Sequence, residues 1–228
     1  MNLRQTNKAN RKKHIVKNAA RLFSSVGYDL TAIEMVAERS NVSPATIYNN
    51  FDDKIGLLLA VLIDESEDIQ QISKRLIANR RANDISVIYR LIELYGDYPM
   101  EFMNKSCWRQ ALAASTASSN KKFTQEYQNV DNQLKNLLID VMHLLHQEQV
   151  FRTEADVQSL GELIWNNVNQ MFTDFISDEV MPLVELKNAM KRQIQAIIGL
   201  AEEQAYDVYK SPFRHQLKFK ISCKLHPT

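Results

Sequence analysis

The chain has 228 residues, 45% of them apolar, a net charge of +1 and two cysteines, enough for one large domain or a small domain joined to a larger one. Cys107 and Cys223 lie far apart and outside metal or redox spacings, which argues against a disulfide framework and makes a reduced, cytoplasmic setting the expectation. No apolar run approaches the roughly 20 residues of a membrane span, and the polar, basic N-terminus lacks a signal peptide's apolar stretch, so a soluble protein with no membrane partner is expected.

The charge is uneven. Residues 1–60 carry nine Lys/Arg against five Asp/Glu, and the first 21 residues hold seven bases and no acid, while the rest is mildly acidic. A basic end on an acidic body points to a polyanion met at one end only, the plainer alternative being a solvated basic tail.

Five Gly, five Pro and apolar residues at helical spacing almost throughout predict an all-α chain of about nine helices. Ile15, Ala19, Leu22 and Phe23 form one face of a first helix that stops at Gly27. Thr31 with Glu34 three residues later reads as a capping box for a short second helix, whose Ile33, Val36 and Ala37 face inward. Ser40-Asn41 ends it, Asn tolerating the left-handed conformation. Ser43 is then an N-cap and Pro44 sits at the first helical position, where its missing N–H costs nothing. Ile47 and Phe51 share a face of this third helix, only about two turns long. Asp52 reads as the N-cap of a long fourth helix with the stripe Ile55, Leu58, Leu59, Leu62, Ile69, Ile72 and Leu76. Further helices are predicted over 84–103, 106–118, 121–149, 154–177 and 182–208. From Lys210 the pattern alternates, with Leu217, Phe219, Ile221, Cys223 and Leu225 between polar residues, as in a strand. A lone strand is unstable, so the tail is expected to be weakly ordered or extended.

Two short helices joined by a tight turn have the dimensions of a helix-turn-helix, whose second helix enters the DNA major groove. The first turn of the third helix, Ser43, Pro44, Ala45 and Thr46, can dock a phosphate. Tyr48, on the face away from Ile47 and Phe51, can reach the backbone and a thymine methyl. Asn49 and Asn50 carry the paired donor and acceptor that read adenine, or else touch only the backbone. Lys54 is the expected phosphate clamp, and Lys8, Arg11, Lys12, Lys13 and Lys17 can follow the backbone or reach the minor groove.

The order of Thr31, Ile33, Val36, Ala37, Val42, Ser43, Ile47, Tyr48, Phe51 and Lys54 closely resembles the DNA-binding signature of the TetR family of transcriptional regulators. Asn41 departs from it, since Gly is commoner there. Ala19, Leu22, Phe23 and Gly27-Tyr28 fit the helix before. The resemblance covers about 50 residues. It implies a helix-turn-helix domain over 1–54, with Thr31 among its DNA contacts, and an effector-binding and dimerisation domain over 55–209, leaving 210–228 as a basic tail. It further implies a homodimer on a palindromic double-stranded operator, paired through the last two long helices. On that face the expected residues are Leu163, Val168, Phe175, Leu186, Met190, Ile194 and Ile197, the alternative being core packing within one chain.

Candidates for an effector pocket are Phe102, Met103, Cys107, Trp108, Tyr127, Met142, His143, Trp165, Asn169 and Phe172, aromatics and methionines with a few polar groups that suit a mainly apolar ligand. His143 and His146, three apart, lack further metal ligands nearby in sequence, and no catalytic order, phosphate loop or zinc spacing occurs, so neither metal, cofactor nor enzyme activity is expected. The reading is a ligand-released repressor. Its rivals are a DNA-binding protein of the same fold whose body docks a protein partner, and an enzyme or adaptor with a merely solvated basic end.

Overall fold

The computed structural model describes residues 3–117 and 121–201. Among these run nine helices and no strand: α1 Leu3–Val26, α2 Ile33–Ser40, α3 Pro44–Phe51, α4 Lys54–Ala78, α5 Ser86–Phe102, α6 Lys105–Thr116, α7 Lys121–Gln147, α8 Val157–Ser177 and α9 Leu183–Gly199. We call α1 to α3 the head and the remainder the body, with α4 shared between them.

Short-range signals order the head. Ile15, Ala19 and Phe23 of α1 are fully buried, and the helix ends at Gly27, whose φ of +92° is left-handed backbone that a Cβ would strain. Asn41 closes α2 at φ 53°, its N–H bonding the Glu38 carbonyl at 3.1 Å. Ser43 caps α3, accepting the Thr46 N–H at 3.3 Å, with Pro44 at the first helical position. The buried amide of Asn18 ties α1 to the end of α2, donating to Ser40 Oγ at 3.1 Å and to the Arg39 carbonyl at 3.3 Å.

Two caps differ from expectation. Thr31 does not cap α2: Ala32 precedes the helix, and the buried Thr31 donates its hydroxyl back to the Gly27 carbonyl at 2.7 Å. A carbonyl at the end of α1 has no helical partner, and Thr31 supplies it with both a hydroxyl and an N–H. Asp52 does not start α4 either. It closes α3 at φ 67°, and Asp53 caps α4, its Oδ1 accepting the Gly56 N–H at 2.7 Å. That junction is tight enough that a Cβ on Gly56 would lie 1.9 Å from the Phe51 carbonyl oxygen, so glycine is required there.

Leu57, Leu58 and Val61 of α4 join the head's core, as do Met103 and, from α6, Cys107 and Ala111. A second core gathers the far half of α4 with α5, α7, α8 and α9. The end of α4 is clasped to the end of α7: the Arg80 guanidinium donates to both oxygens of Glu148 at 3.0 and 2.6 Å, and Glu148 also accepts the Asn83 N–H at 2.7 Å. Lys105 fastens the turn between α8 and α9, donating to the carbonyls of Asp178 at 2.6 Å and Met181 at 2.7 Å beneath the Phe175 ring.

Val168, Phe175, Leu186, Met190 and Ile194, expected on a face between subunits, are at most 4% exposed and lie inside the body. Their stripe is broad because α8 packs on α7 and α9 on α5, and those helices cover it. Leu163 is 50% exposed and Ile197 only partly buried. α9 stops at Gly199, short of 208, where the Arg152 N–H and guanidinium bond the carbonyls of Ala201 at 3.0 Å and Leu200 at 2.8 Å. Residues 202–228, with the alternating tail and Cys223, lie outside the described residues. No described helix is long and apolar enough to cross a membrane.

Candidate functional site

Ile47 and Phe51 anchor α3, buried against the head. The opposite side shows Ser43, Pro44, Ala45, Asn49 and Tyr48 to solvent, the tyrosine 47% exposed. The bases Lys8, Arg11, Lys12, Lys13 and Lys17 of α1 are exposed, but Lys17 lies in another cleft with Asp64, Glu65 and Asp68 of α4. Lys8, Arg11 and Lys12 share one surface cleft with Thr46 and Asn50, so two helices build a single polar, positively charged surface. Within it Lys12 sits 5.5 Å from the centre of the Phe51 ring, whereas Lys13 turns toward α4 and reaches Asp64 at 3.7 Å. Asn50 donates its amide to the Thr46 carbonyl at 2.6 Å, which commits part of its hydrogen-bonding capacity to its own helix. Thr31, grouped with these residues from the sequence, is buried and fastens the head's interior.

Lys54 stands closer to the fold than expected. Its ammonium donates to the Asp29 carbonyl at 3.2 Å and lies 4.3 Å from the centre of the Tyr28 ring, so it pins the start of α4 to the turn before α2. Burial pulls its pKa down, opposed by the Asp29 carboxylate, while burial beside Asp53 and Asp29 pushes the Tyr28 hydroxyl up to about 12. The same turn meets α6, where Ser106 at 3.5 Å and Gln110 at 3.4 Å donate to the Asp29 carboxylate.

Inside the body, α4 to α8 and Met103 surround a cavity of about 120 Å³. Seven of the ten residues expected there line it: Phe102, Met103, Trp108, Tyr127, Trp165, Asn169 and Phe172. Three do not. Cys107 turns toward α1, its Sγ donating to the Phe23 carbonyl at 3.3 Å, and burial pushes its thiol pKa up. Met142 stays on the inward side of α7 but about two turns beyond Leu134, against Gly161 of α8. His143 falls on the outer side, exposed and bonded to Gln158 Oε1 at 3.2 Å.

The lining adds Tyr95, Tyr98, Ser66 and two carboxylates that sequence reasoning missed, Glu65 and Asp131. A signal for both existed: Glu65 is spaced three from Leu62 and four from Ile69, and Asp131 four from Tyr127 and three from Leu134, so each interrupts an apolar stripe. Asp131 accepts the Trp165 indole N–H at 3.1 and 3.2 Å and the Asn169 amide at 2.9 Å. Burial, with Asp64 and Asp68 adjacent, pushes the Glu65 carboxyl up to about 7 against the opposing pull of Lys17 and the Tyr98 hydroxyl. The rings meet edge to face, Tyr95 on Trp165 at 5.6 Å and Trp108 on Phe172 at 5.3 Å. Trp108 also donates to the Pro99 carbonyl at 3.0 Å. The cavity's walls therefore include helices that also touch the head: α4 and α5 pack on α1, and α6 and α7 add Cys107 and Phe123 to the head's core.

Residues 15–61 match the model of a family described as bacterial regulatory proteins, tetR family. Over 183 residues the chain is 26% identical to the HTH-type transcriptional regulator QacR of Staphylococcus aureus, covering 78% of this chain and 93% of that protein. Among solved structures it is similar to a protein of Saccharomonospora viridis, assigned as a transcriptional regulator and solved in complex with choline, at 19% identity and a TM-score of 0.65 over 82% of this chain and 96% of that one. It is also similar to the transcriptional regulator FadR of Bacillus subtilis, solved in complex with stearoyl-CoA, at 18% identity and a TM-score of 0.57 over 80% and 96%. At these identities the two structures show a shared fold.

Proposed function

The chain belongs to the TetR family of DNA-binding transcriptional regulators, and on that premise we propose a homodimeric repressor released from a palindromic operator by a small molecule bound in the cavity. The observation that carries this reading is the continuity of α4, whose first turns pack the head's core and whose Leu62, Glu65 and Ser66 line the cavity. A body built only to dock a protein has no need of a space among aromatic side chains, and the choline and stearoyl-CoA complexes of the two neighbours support a body that houses small molecules.

In this reading Tyr48, Thr46 and Asn49 meet the major groove while Lys8, Arg11, Lys12 and Lys13 hold the flanking phosphates, and Lys54 uses a spare ammonium proton on a phosphate. One eight-residue helix reads too few base pairs for useful specificity, so two heads at a fixed spacing are needed. The exposed Leu163 and its neighbours Asn166 and Gln170 on α8, with the outer side of α9, form the pairing face. An effector then acts by binding one spacing of the heads better than the other, and the coupling is reciprocal.

The test begins with selecting bound fragments from genomic DNA. Operator affinity, read by fluorescence anisotropy, is expected to fall steeply with salt and to fall again when a compound occupies the cavity. A compound that fills the cavity and leaves operator affinity unchanged would overturn effector release, and binding without sequence preference would overturn the operator.

A further inference from the structure

We propose that the cavity takes an organic cation, a small quaternary or aromatic ammonium held between the Glu65 and Asp131 carboxylates and the surrounding rings; this rests on reading the cavity as the effector site. Three observations on its wall lead there. The only charged side chains lining it among the described residues are these two acids, with no Lys, Arg or His. Among the described residues neither acid forms an ion pair. Seven of the lining side chains are aromatic, Trp108, Trp165, Tyr95 and Tyr98 among them.

The bonds Asp131 makes sharpen the point. The Trp165 indole and the Asn169 amide are neutral donors, so they orient the carboxylate without cancelling its charge. A carboxylate has about four lone-pair sites, and these donors leave part of that capacity open. On α4 Glu65 meets Asp64 and Asp68 of its own helix, Lys17 of α1 and Tyr98 of α5, with Arg21 and Glu101 along the same cleft. Lys17 is exposed and Lys13 pairs with Asp64 at 3.7 Å, so the four acids Glu65, Asp64, Asp68 and Glu101 face the three bases Lys13, Lys17 and Arg21. An anion entering this space meets like charges in a poorly solvated setting, and an uncharged molecule leaves both acids uncompensated. A cation is attracted by both carboxylates and by the faces of the rings. The space of about 120 Å³ compares with the roughly 150 Å³ cavity that holds a benzene, so a one-ring cation is the right probe.

Benzyltrimethylammonium, its uncharged carbon isostere 2,2-dimethylpropylbenzene and the anion phenylacetate separate charge from shape. Both tryptophans of the chain line the cavity, so intrinsic fluorescence reports occupancy there. The cation is expected to bind saturably, the isostere about tenfold more weakly, and phenylacetate not at all. Affinity for the cation should rise as pH passes about 7, where the Glu65 carboxyl gives up its proton, and Glu65→Gln should flatten that rise. Asp131→Asn keeps an acceptor for Trp165 and should lower affinity for the cation more than for the isostere. Circular dichroism checks that each variant is folded. The isostere or phenylacetate matching the cation, or the double variant keeping the preference, would overturn the charge class while leaving an effector site. Preference for the cation with no change in operator affinity would support the cation site and overturn effector release. Binding by none of the three would overturn both.

Discussion

In the head, the buried polar groups Asn18, Thr31 and Ser40 each take part in a hydrogen bond that closes a helix end, and Tyr48, Asn49 and the bases of α1 point outward from a filled interior. In the body the arrangement is inverted: the outer surface carries the ordinary ion pairs, such as Lys187 with Glu93 and Asp97, while Glu65 and Asp131, which form no ion pair among the described residues, face an unfilled space. The contrast teaches that the two regions tolerate different changes. A head of this kind should lose stability when its interior is altered and lose only binding when its face is altered. The body should accept added volume in its interior and lose its response.

The largest break in that comparison is Gly56→Ala, which forces a Cβ against the Phe51 carbonyl. It should cost about 3 kcal/mol, as overpacking against backbone does, and a lowered urea midpoint with loss of operator binding would register it; an unchanged midpoint would show that the junction can relax. Next comes a matched pair on α4. Leu58 is fully buried in the head's core and Ile69, in the body's core, borders the cavity, so Leu58→Phe should cost about 1–3 kcal/mol and Ile69→Phe less than about 1 kcal/mol. Equal costs by denaturation would mean that the body is as filled as the head. Tyr48→Ala should leave the melting temperature nearly unchanged and weaken operator binding by about tenfold, close to 1.4 kcal/mol. A loss of stability instead would make Tyr48 part of the core.

The smallest effect is one of pH. Burial and the neighbouring acids raise the Glu65 carboxyl from 4.5 to about 7 in the folded chain, so between these values the folded state binds more protons than the unfolded one. Its contribution therefore diminishes stability as pH rises through that window. The stability of Glu65→Gln relative to the unaltered chain should climb from pH 5 to pH 8. Urea midpoints measured across this range would show a flat difference if Glu65 were fully solvated.

The head was legible because its instructions are local. Gly27, Asn41 and Ser43-Pro44 each dictate one backbone conformation or one cap, and the structure has all three. Thr31 and Asp52 were misread where two uses of a residue compete within a few positions: a free carbonyl at the end of α1 takes the threonine hydroxyl, and of two adjacent acids only Asp53 reaches the α4 N-terminus. The cavity was half legible. Large aromatics announced themselves, whereas Glu65 and Asp131 become neighbours of one space only once α4 and α7 pack together. The stripes of α8 and α9 were a matter of breadth, since periodicity tells how much surface is apolar and not which helix covers it. Val168 and Ile194 turned out to be covered from within.

The clasp of Arg80 on Glu148 fixes one end of α4, and Lys54 lashes the other end to the head. Mechanically this makes the helix a lever with its fulcrum near Ala78. At 1.5 Å per residue Glu65 sits roughly 20 Å from that fulcrum and Lys54 roughly 36 Å. A sideways push at Glu65 that pivots the helix there arrives at Lys54 roughly 1.8-fold larger. Loosening the clasp would let the same push dissipate at the far end instead of moving the head.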